Sequence, residues 1–264
     1  MPRIIAVSNQ KGGVGKTTTA VNLAAALARA GHPTLVVDVD PQGNASSALG
    51  HPKHEAPWGI AEAMLGLESL ATCLLPTSQP GLDLAAATPA LVGAEIELVG
   101  LPNRDRRLAL ALADLPRPYD FVLVDTPPSL GLLTLNALVA ADGVLVPLQA
   151  EYFAMEGLGE LVRTIGAVRR GPNPRLVRDG IVLTMTDART RLCRDVEAQA
   201  REVFGAEVFQ TVVPRAVRLA EAPSHAKTIF EYDPASRGAA AYAAVAAELV
   251  ARVSRAAAPA AVRA

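Results

Sequence analysis

Short runs of β-branched and other apolar residues alternate along the chain with longer segments rich in alanine and leucine. Runs such as 121–124 are apolar throughout, which is typical of strands buried on both faces of a sheet. The short runs predict strands at 4–8, 34–37, 82–86, 121–124, 144–148, 181–185 and 208–212. The alanine- and leucine-rich segments predict helices at 17–30, 104–115, 132–141, 155–170, 192–204 and 238–254.

This alternation predicts an α/β fold with a mostly parallel β-sheet and helices on both faces. Because no internal repeat or long linker interrupts it, we expect a single domain over residues 1–255 and a flexible C-terminal tail at 256–264. Residues 50–80 are the least regular part, and we expect them to leave the sheet at its edge. Ligands of such folds bind at the carboxyl ends of the strands.

Composition narrows the class of protein. Half of the 264 residues are hydrophobic and 19% are charged, which excludes disorder or a coiled coil as the main state. The only cysteines, Cys73 and Cys193, form no Cys-x-x-Cys pair, which argues against a zinc ribbon or a cysteine-ligated cluster. We find no signal peptide and no long uncharged apolar stretch, so we expect a cytoplasmic protein that does not act at a membrane.

The net charge of −1 argues by itself against a nucleic-acid-binding protein, but it averages two unlike halves. Residues 1–150 hold 9 basic and 13 acidic side chains, whereas residues 151–264 hold 16 basic and 13 acidic ones. An ordinary solvated surface explains this difference equally well. Charge alone therefore does not predict a partner.

The segment at 10–18 reads Gln-Lys-Gly-Gly-Val-Gly-Lys-Thr-Thr, and it lies between the first predicted strand and the first predicted helix. Such a loop points its backbone N–H groups at a phosphate, and the helix dipole adds to the attraction. Lys16 is expected to reach the β- and γ-phosphates, and the Thr17 hydroxyl to bind Mg²⁺. The predicted nucleotide-binding residues of this P-loop are Lys11, Gly12, Gly13, Val14, Gly15, Lys16, Thr17 and Thr18.

Three aspartates stand at the ends of predicted strands, where a carboxylate must be solvated, paired or bound to a metal. Asp125 fits the Walker B role of holding Mg²⁺, and Asp38 fits support of the metal's water shell. Asp40 fits orientation of the attacking water, although helix capping or a loop hydrogen bond would also explain Asp38 and Asp40. The predicted metal site thus comprises Thr17, Asp38, Asp40 and Asp125. We identify no glutamate base, which suits a slow, switch-like ATPase.

The P-loop departs from the usual Gly-x-x-x-x-Gly-Lys-Thr, because Gln10 takes the place of the first glycine and Lys11 follows it. In this respect the chain resembles the deviant P-loop ATPases, which include ParA/Soj, MinD, the nitrogenase iron protein and ArsA. In that group the early lysine reaches the nucleotide of the partner subunit in a face-to-face dimer. The resemblance implies this role for Lys11, and it implies hydrolysis that depends on Lys11, Lys16 and Asp40.

The resemblance to the ParA/Soj family covers nearly the whole chain and includes four further motifs, of which the last two are much more specific than the P-loop. They are Asp-Thr-Pro-Pro-Ser-Leu at 125–130, Leu-Thr-Leu-Asn-Ala at 133–137, Gln-Ala-Glu-Tyr-Phe-Ala-Met-Glu-Gly at 149–157 and Val-Val-Pro-Arg-Ala-Val-Arg-Leu-Ala-Glu-Ala-Pro at 212–223. In the family the Val-Pro-Arg segment passes the adenine, which implies base contacts for Pro214 and Arg215. Met185 and Asp187 are weaker candidates, and a plain turn is the alternative for Pro214.

The family also binds DNA without sequence preference through basic residues that match Arg189, Arg218 and Lys227, and Arg252 is a further candidate. Solvated or salt-bridged arginines are the alternative explanation. The resemblance therefore implies a nucleoid-associated, ATP-dependent and Mg²⁺-dependent homodimer that binds double-stranded DNA and partitions chromosomes or plasmids. A ParB/Spo0J-type centromere-binding protein would stimulate hydrolysis and so release the dimer.

Two other functions stay open at this point. One is a MinD-like positioning ATPase that acts on a membrane or a protein array. The alanine-rich C-terminus argues against membrane binding, because it is only weakly amphipathic. The other is a metabolic P-loop enzyme such as a synthetase.

Overall fold

Seven strands form one sheet in the computed structural model of the chain, which describes residues 1–151 and 154–257. The strands are β1 (Arg3–Val7), β2 (Thr34–Asp38), β3 (Leu74–Pro76), β4 (Leu82–Ala85), β5 (Phe121–Asp125), β6 (Gly143–Gln149) and β7 (Val177–Thr184). The helices are α1 (Lys16–Arg29), α2 (Asn44–Ala48), α3 (Ile60–Leu65), α4 (Ala90–Val99), α5 (Arg107–Leu112), α6 (Leu132–Ala140), α7 (Ala154–Arg170), α8 (Arg191–Phe204), α9 (Val217–Glu221), α10 (Ile229–Tyr232) and α11 (Arg237–Ala257).

The strand order is β3-β4-β2-β5-β1-β6-β7, and every neighbouring pair is parallel except β3 with β4. Every residue of β2, β5 and β6 is buried, as expected for strands that are covered on both faces. One apolar cluster joins one face of the sheet to α3–α8, and a second joins the other face to α1, α2 and α9–α11. The predicted α/β fold is therefore confirmed.

Helix α1 carries the P-loop, and the last helix of the described chain packs against it. The Ala- and Leu-rich sequence of α1 favours a helix. This helix ends just before Gly31, a residue with a φ of 90°. The Thr19 hydroxyl lies 3.1 Å from the Tyr242 hydroxyl of α11, and both side chains are buried. The two helices thus form one layer behind the phosphate loop.

The predicted strand at 208–212 is wrong, because this segment makes only one isolated bridge, from Val208 to Ile181 of β7, and the next bridge, at Pro214, lies beyond it. A competing side chain is the physical reason. The backbone N–H groups of Gln210 and Thr211 donate to the Glu248 carboxylate of α11, at 2.9 and 3.0 Å. A continuous ladder with β7 does not form.

Other differences lie in the first half of the chain. The helix predicted at 104–115 is shorter, and it begins where the Asn136 side chain accepts the N–H of Leu108 at 3.1 Å. The irregular residues 50–80 leave the sheet, form α3, and return as the antiparallel edge strand β3. Helix α4 had no counterpart in the sequence analysis.

The C-terminal tail predicted at 256–264 lies largely outside the described residues, because α11 reaches Ala257 and residues 258–264 are not described. The domain boundary at residue 255 therefore stays a prediction. In the described parts of the chain, no helix is long and apolar enough to cross a membrane.

Candidate active site

The P-loop connects β1 to α1 at the carboxyl edge of the sheet. Gly13 and Gly15 have φ angles of 75° and 86°, a left-handed conformation that side-chain-bearing residues rarely adopt. The Thr184 hydroxyl at the end of β7 donates to the carbonyl of Val14 at 2.8 Å and fixes the loop against the sheet. The P-loop is therefore a preformed turn at the N-terminus of α1, and a helix N-terminus that follows such a turn is an arrangement that binds phosphate.

The two lysines of the P-loop occupy different environments. Lys16 is only 7% exposed, and its Nζ donates to the carbonyl of Lys11 at 3.1 Å. Burial lowers the pKa of Lys16, and the nearby Asp125 and Asp40 act in the opposite direction. The Lys11 side chain is 39% exposed, and its Nζ lies 3.6 Å from Oε2 of Glu151. Lys16 thus lies inside the site and Lys11 at its mouth.

Asp38 and Asp125 end the neighbouring strands β2 and β5 and are register partners. Both are fully buried. Asp38 accepts hydrogen bonds from the backbone and hydroxyl of Ser46 at 2.8 and 2.7 Å, and burial raises its pKa to about 6. Burial also raises the pKa of Asp125 well above its usual range, with a further contribution from Asp38. The apo fold therefore holds two carboxyls in an environment that disfavours negative charge.

Asp125 also supplies evidence that a cation fits here. One of its oxygens accepts the Thr17 hydroxyl at 2.7 Å, whereas Oδ1 is buried and accepts no hydrogen bond from any residue that the structure describes. A hydroxyl and carboxylate oxygens are ligands that Mg²⁺ prefers, with substrate phosphates and water completing its shell. Within the described residues, no group of three or more His, Cys, Asp or Glu side chains gathers into a metal cage.

Asp40 lies two residues beyond the end of β2 and is almost completely buried. Its carboxylate accepts the N–H of Gln42 at 3.0 Å, so the loop hydrogen bond considered from sequence is present. Asp40 also acts electrostatically on Lys16 and on the two buried carboxyls, which places its charge within the phosphate site. A structural and a catalytic role are therefore compatible for this residue.

An apolar cavity of about 420 Å³ adjoins the first turn of α1. Three predicted base contacts, Met185, Pro214 and Arg215, line it, whereas Asp187 does not. Met185 has a φ of 52°, a strained value for a residue with a side chain. The other residues of the wall are Gly15, Thr18, Thr184, Val213, Ala216, Val217, Leu219, Ala220 and Tyr242.

Sequence reasoning missed Tyr242 and Thr184. The signal for Tyr242 is that it is the only aromatic residue of an alanine-rich helix, where a large side chain must find a place in the core. Thr184 ends an apolar strand at the edge of the sheet where ligands bind, which is the same signal that identified Asp125.

The four basic candidates for DNA binding differ in how the protein already uses them. Arg189 is 90% exposed and pairs with Asp187 at 2.7 Å, and this contact lowers the pKa of Asp187 to about 2. Arg218 pairs with Glu221 at 3.0 Å and lies above the Tyr232 ring. Both arginines belong to adjacent segments, since the N–H of Arg215 donates to the carbonyl of Thr186 at 3.0 Å.

The other two candidates contrast sharply. Lys227 is exposed at the rim of a second cavity of about 430 Å³ that also touches Thr17 and Thr18. Arg252 is only 22% exposed and stacks on the ring of Phe209 at 4.1 Å. Its guanidinium donates to Glu248 and to the carbonyls of Ala206 and Val208. Of the four, Arg252 has the fewest donors left for a phosphate.

The sequence is similar to known proteins over nearly its whole length. The AAA_31 family model, described as an AAA domain, matches residues 2–177. The chromosome-partitioning ATPase Soj of Thermus thermophilus is 55% identical over 254 residues, which cover 96% of this chain and 98% of the relative. The chromosome-partitioning protein ParA of Myxococcus xanthus is 52% identical over 250 residues, which cover 95% of this chain and 88% of the relative.

Solved structures share the architecture. A Mycobacterium smegmatis protein described as cobyrinic acid a,c-diamide synthase, with bound ADP and magnesium, is 38% identical with a TM-score of 0.85, and 96% of each chain is covered. Pyrococcus furiosus MinD is 24% identical with a TM-score of 0.78, covering 95% of this chain and 99% of that chain, and shows the fold alone. Together with the P-loop and its buried carboxylates, these matches establish that the chain belongs to the ParA/Soj family of chromosome-partitioning ATPases.

Proposed function

We propose that this ATPase partitions DNA through a nucleotide-dependent dimer that binds duplex without sequence preference. The observation that carries the proposal is the contrast between the two P-loop lysines. Lys16 is buried and serves its own phosphate site, whereas Lys11 extends to the mouth, where a second subunit would meet it. A cation placed there adds the charge of the nucleotide to the attraction between subunits.

Within one subunit, the P-loop N–H groups and Lys16 would bind the phosphates, and the cavity beside Met185, Pro214 and Arg215 would take the adenine. Thr17 and Asp125 would hold Mg²⁺, with Asp38 supporting its water shell. When bound, this ion neutralises charge on the phosphates. Asp40 would orient the water that attacks the γ-phosphate.

DNA binding is proposed for the exposed residues Arg189, Arg218 and Lys227. Exposed ion pairs contribute little free energy, so a DNA phosphate competes readily with Asp187 for Arg189 and with Glu221 for Arg218. Dimerisation would double the number of basic residues offered to one duplex. Arg252 stays a peripheral candidate because its donors already bind protein groups.

The remaining parts of the cycle are proposed from the resemblance to the ParA/Soj family. We propose that a ParB/Spo0J-type protein stimulates hydrolysis, and that the ATP-bound dimer is associated with the nucleoid. The names of the relatives favour a chromosome over a plasmid as the cargo.

The test is a gel shift on a non-specific duplex with ATP, ADP or no nucleotide. We expect retardation with ATP only, and we expect Arg189→Glu combined with Arg218→Glu to abolish it. Arg175→Glu is the matched control. This exposed arginine precedes β7 and so lies near the amino end of that strand, whereas Arg189 follows its carboxyl end. Equal retardation with ADP, or a double variant that still retards the duplex, would contradict the proposal and favour a positioning ATPase or a synthetase.

A further inference from the structure

The carboxylate of Glu151 bridges two parts of the nucleotide site. Its Oε2 lies 3.6 Å from Nζ of Lys11 in the P-loop, and its Oε1 lies 3.5 Å from a guanidinium nitrogen of Arg215 beside the base cavity. The side-chain amide of Gln149 also donates to Oε1. One anion therefore holds cations from two separate segments at the mouth of the site.

The anion is anchored, whereas its partners have long side chains. Gln149 is the last residue of β6, and the N–H of Glu151 donates to the carbonyl of Gln149 at 2.8 Å. The side chains of Lys11, Glu151 and Arg215 are 39%, 44% and 62% exposed. Ion pairs this exposed are weak and exchange readily. The contact is thus suited to a group that must be released during a cycle.

Polyphosphate in the P-loop would compete for the same lysine. Lys11 precedes the glycines of the loop, and its carbonyl accepts the Nζ of Lys16, the lysine expected at the β- and γ-phosphates. Nucleotide therefore brings negative charge close to a carboxylate of the same sign, and repulsion between them weakens the hold on Lys11.

We propose that Glu151 is a positioning residue that keeps Lys11 on its own subunit until the nucleotide's charge releases it. This inference rests on the trans role of Lys11 in the proposed function. It assigns to Glu151 a brake on dimerisation, which sets the protein concentration at which ATP assembles two subunits. The brake acts in the monomer, so removing it favours the dimer.

Glu151→Gln tests the brake, because it removes the charge and keeps the size of the side chain. With a slowly hydrolysed ATP analogue, sedimentation should show half-dimerisation at roughly 10-fold lower protein concentration, since one weak pair is released in each of two subunits. Glu151→Asp restores the charge and should return the midpoint toward that of the wild type. Glu197→Gln, which breaks the 2.8 Å pair with Arg201 within α8, is the matched control and should change nothing.

A zero-length carbodiimide provides a direct readout of the cis contact. It should cross-link Lys11 to Glu151 within one chain of the nucleotide-free protein, and ATP should reduce the yield of that peptide. If Glu151→Gln dimerises at the same or a higher concentration, or if no such peptide forms, Glu151 is not a brake. If Lys11→Ala instead dimerises normally with ATP, the trans role of Lys11 fails, whatever Glu151 does.

Discussion

At the scale of single residues, Asp38 and Asp125 carry an electrostatic cost that a bound cation would offset. Both carboxyls are buried on adjacent strands, and the Lys16 ammonium is a nearby positive charge. Burial raises the pKa of each, so the folded state holds a proton more tightly than the unfolded chain does. The negative charge that these groups would need to bind Mg²⁺ therefore costs stability in the absence of a cation.

The first prediction follows from the sign of this effect. Asp38 has a pKa of about 6 in the fold against 3.8 in the unfolded chain, so its contribution to stability falls as pH rises from about 4 to about 6. Asp38→Asn removes the ionised form. Relative to that of the wild type, its free energy of unfolding should therefore be about 2 kcal/mol larger at pH 7.5 than at pH 4.5, which means that the variant is relatively more stable at the higher pH.

Urea unfolding in magnesium-free buffer at the two pH values measures this difference. Asp114→Asn, which changes an exposed carboxylate at the end of α5, should show no such dependence. A pH-independent difference for Asp38→Asn would mean that burial does not penalise the charge of Asp38.

The second prediction concerns hydrolysis. Asp40→Ala should leave ATP binding and dimerisation intact, because the P-loop and the Thr17–Asp125 contact do not depend on it. Turnover should fall by roughly 10²–10⁴, the usual contribution of a group that positions or activates a nucleophile. Phosphate release measures the rate, and activity within a few-fold of the wild type would remove Asp40 from the mechanism.

At the scale of elements, helix α11 holds the segment before α9 through side chains, a role that its sequence pattern does not predict. Glu248 satisfies two backbone N–H groups of the segment before α9, and Arg252, one turn later, binds carbonyls of the same segment. Together they replace the strand pairing that Val208, Phe209 and Val212 would otherwise favour. The segment that leads to Pro214 and Arg215 is thereby held by side chains.

The third prediction is that Arg252→Ala and Glu248→Ala destabilise the fold. Each leaves backbone groups without partners, at a cost of about 1–3 kcal/mol. Arg255→Ala, on the exposed end of α11, is the control and should have little effect. The urea midpoint measures the change. An unchanged midpoint for Arg252→Ala would mean that Arg252 does not stabilise the fold, and its candidacy as a DNA contact would then be stronger.

The elements that the sequence predicted well are those set by local pattern. The interiors of β2 and β5 are apolar, and glycines and Lys-Thr between β1 and α1 leave few alternatives to a phosphate loop. α4 was missed although it is rich in apolar residues, because Val92, Ile96 and Val99 are exposed and no amphipathic face marks it. The contacts of Tyr242 and Glu248 join positions distant in sequence, which no local pattern encodes.

At the scale of the whole molecule, the charge of the chain predicts that DNA binding depends on assembly. A net charge of −1 gives a monomer little attraction for duplex. A dimer offers the three proposed contacts twice. The logarithm of the binding constant should then fall against the logarithm of salt concentration with a slope of about −0.9 per neutralised phosphate, or about −5 in all.

The fourth prediction uses that slope. Fluorescence anisotropy with ATP should give the steep dependence for the wild type, and Lys227→Gln should flatten it by about 2, since each dimer loses two contacts. Lys11→Ala should bind nucleotide yet show almost no DNA binding, because it stays monomeric. A wild-type slope near −2 would mean that fewer basic residues contact DNA than proposed.

The hydrogen bond between Thr19 and Tyr242 also bears on how the protein is made. The two residues are 223 positions apart, and they join the first helix of the chain to its last long one. A ribosome that adds about 5–20 residues per second needs roughly 10–45 s to synthesise the intervening chain. During that interval the P-loop has emerged but the wall of its base cavity has not. A nascent chain that lacks α11 would therefore lack part of the proposed nucleotide site, and we expect it to bind ATP only after α11 has been synthesised.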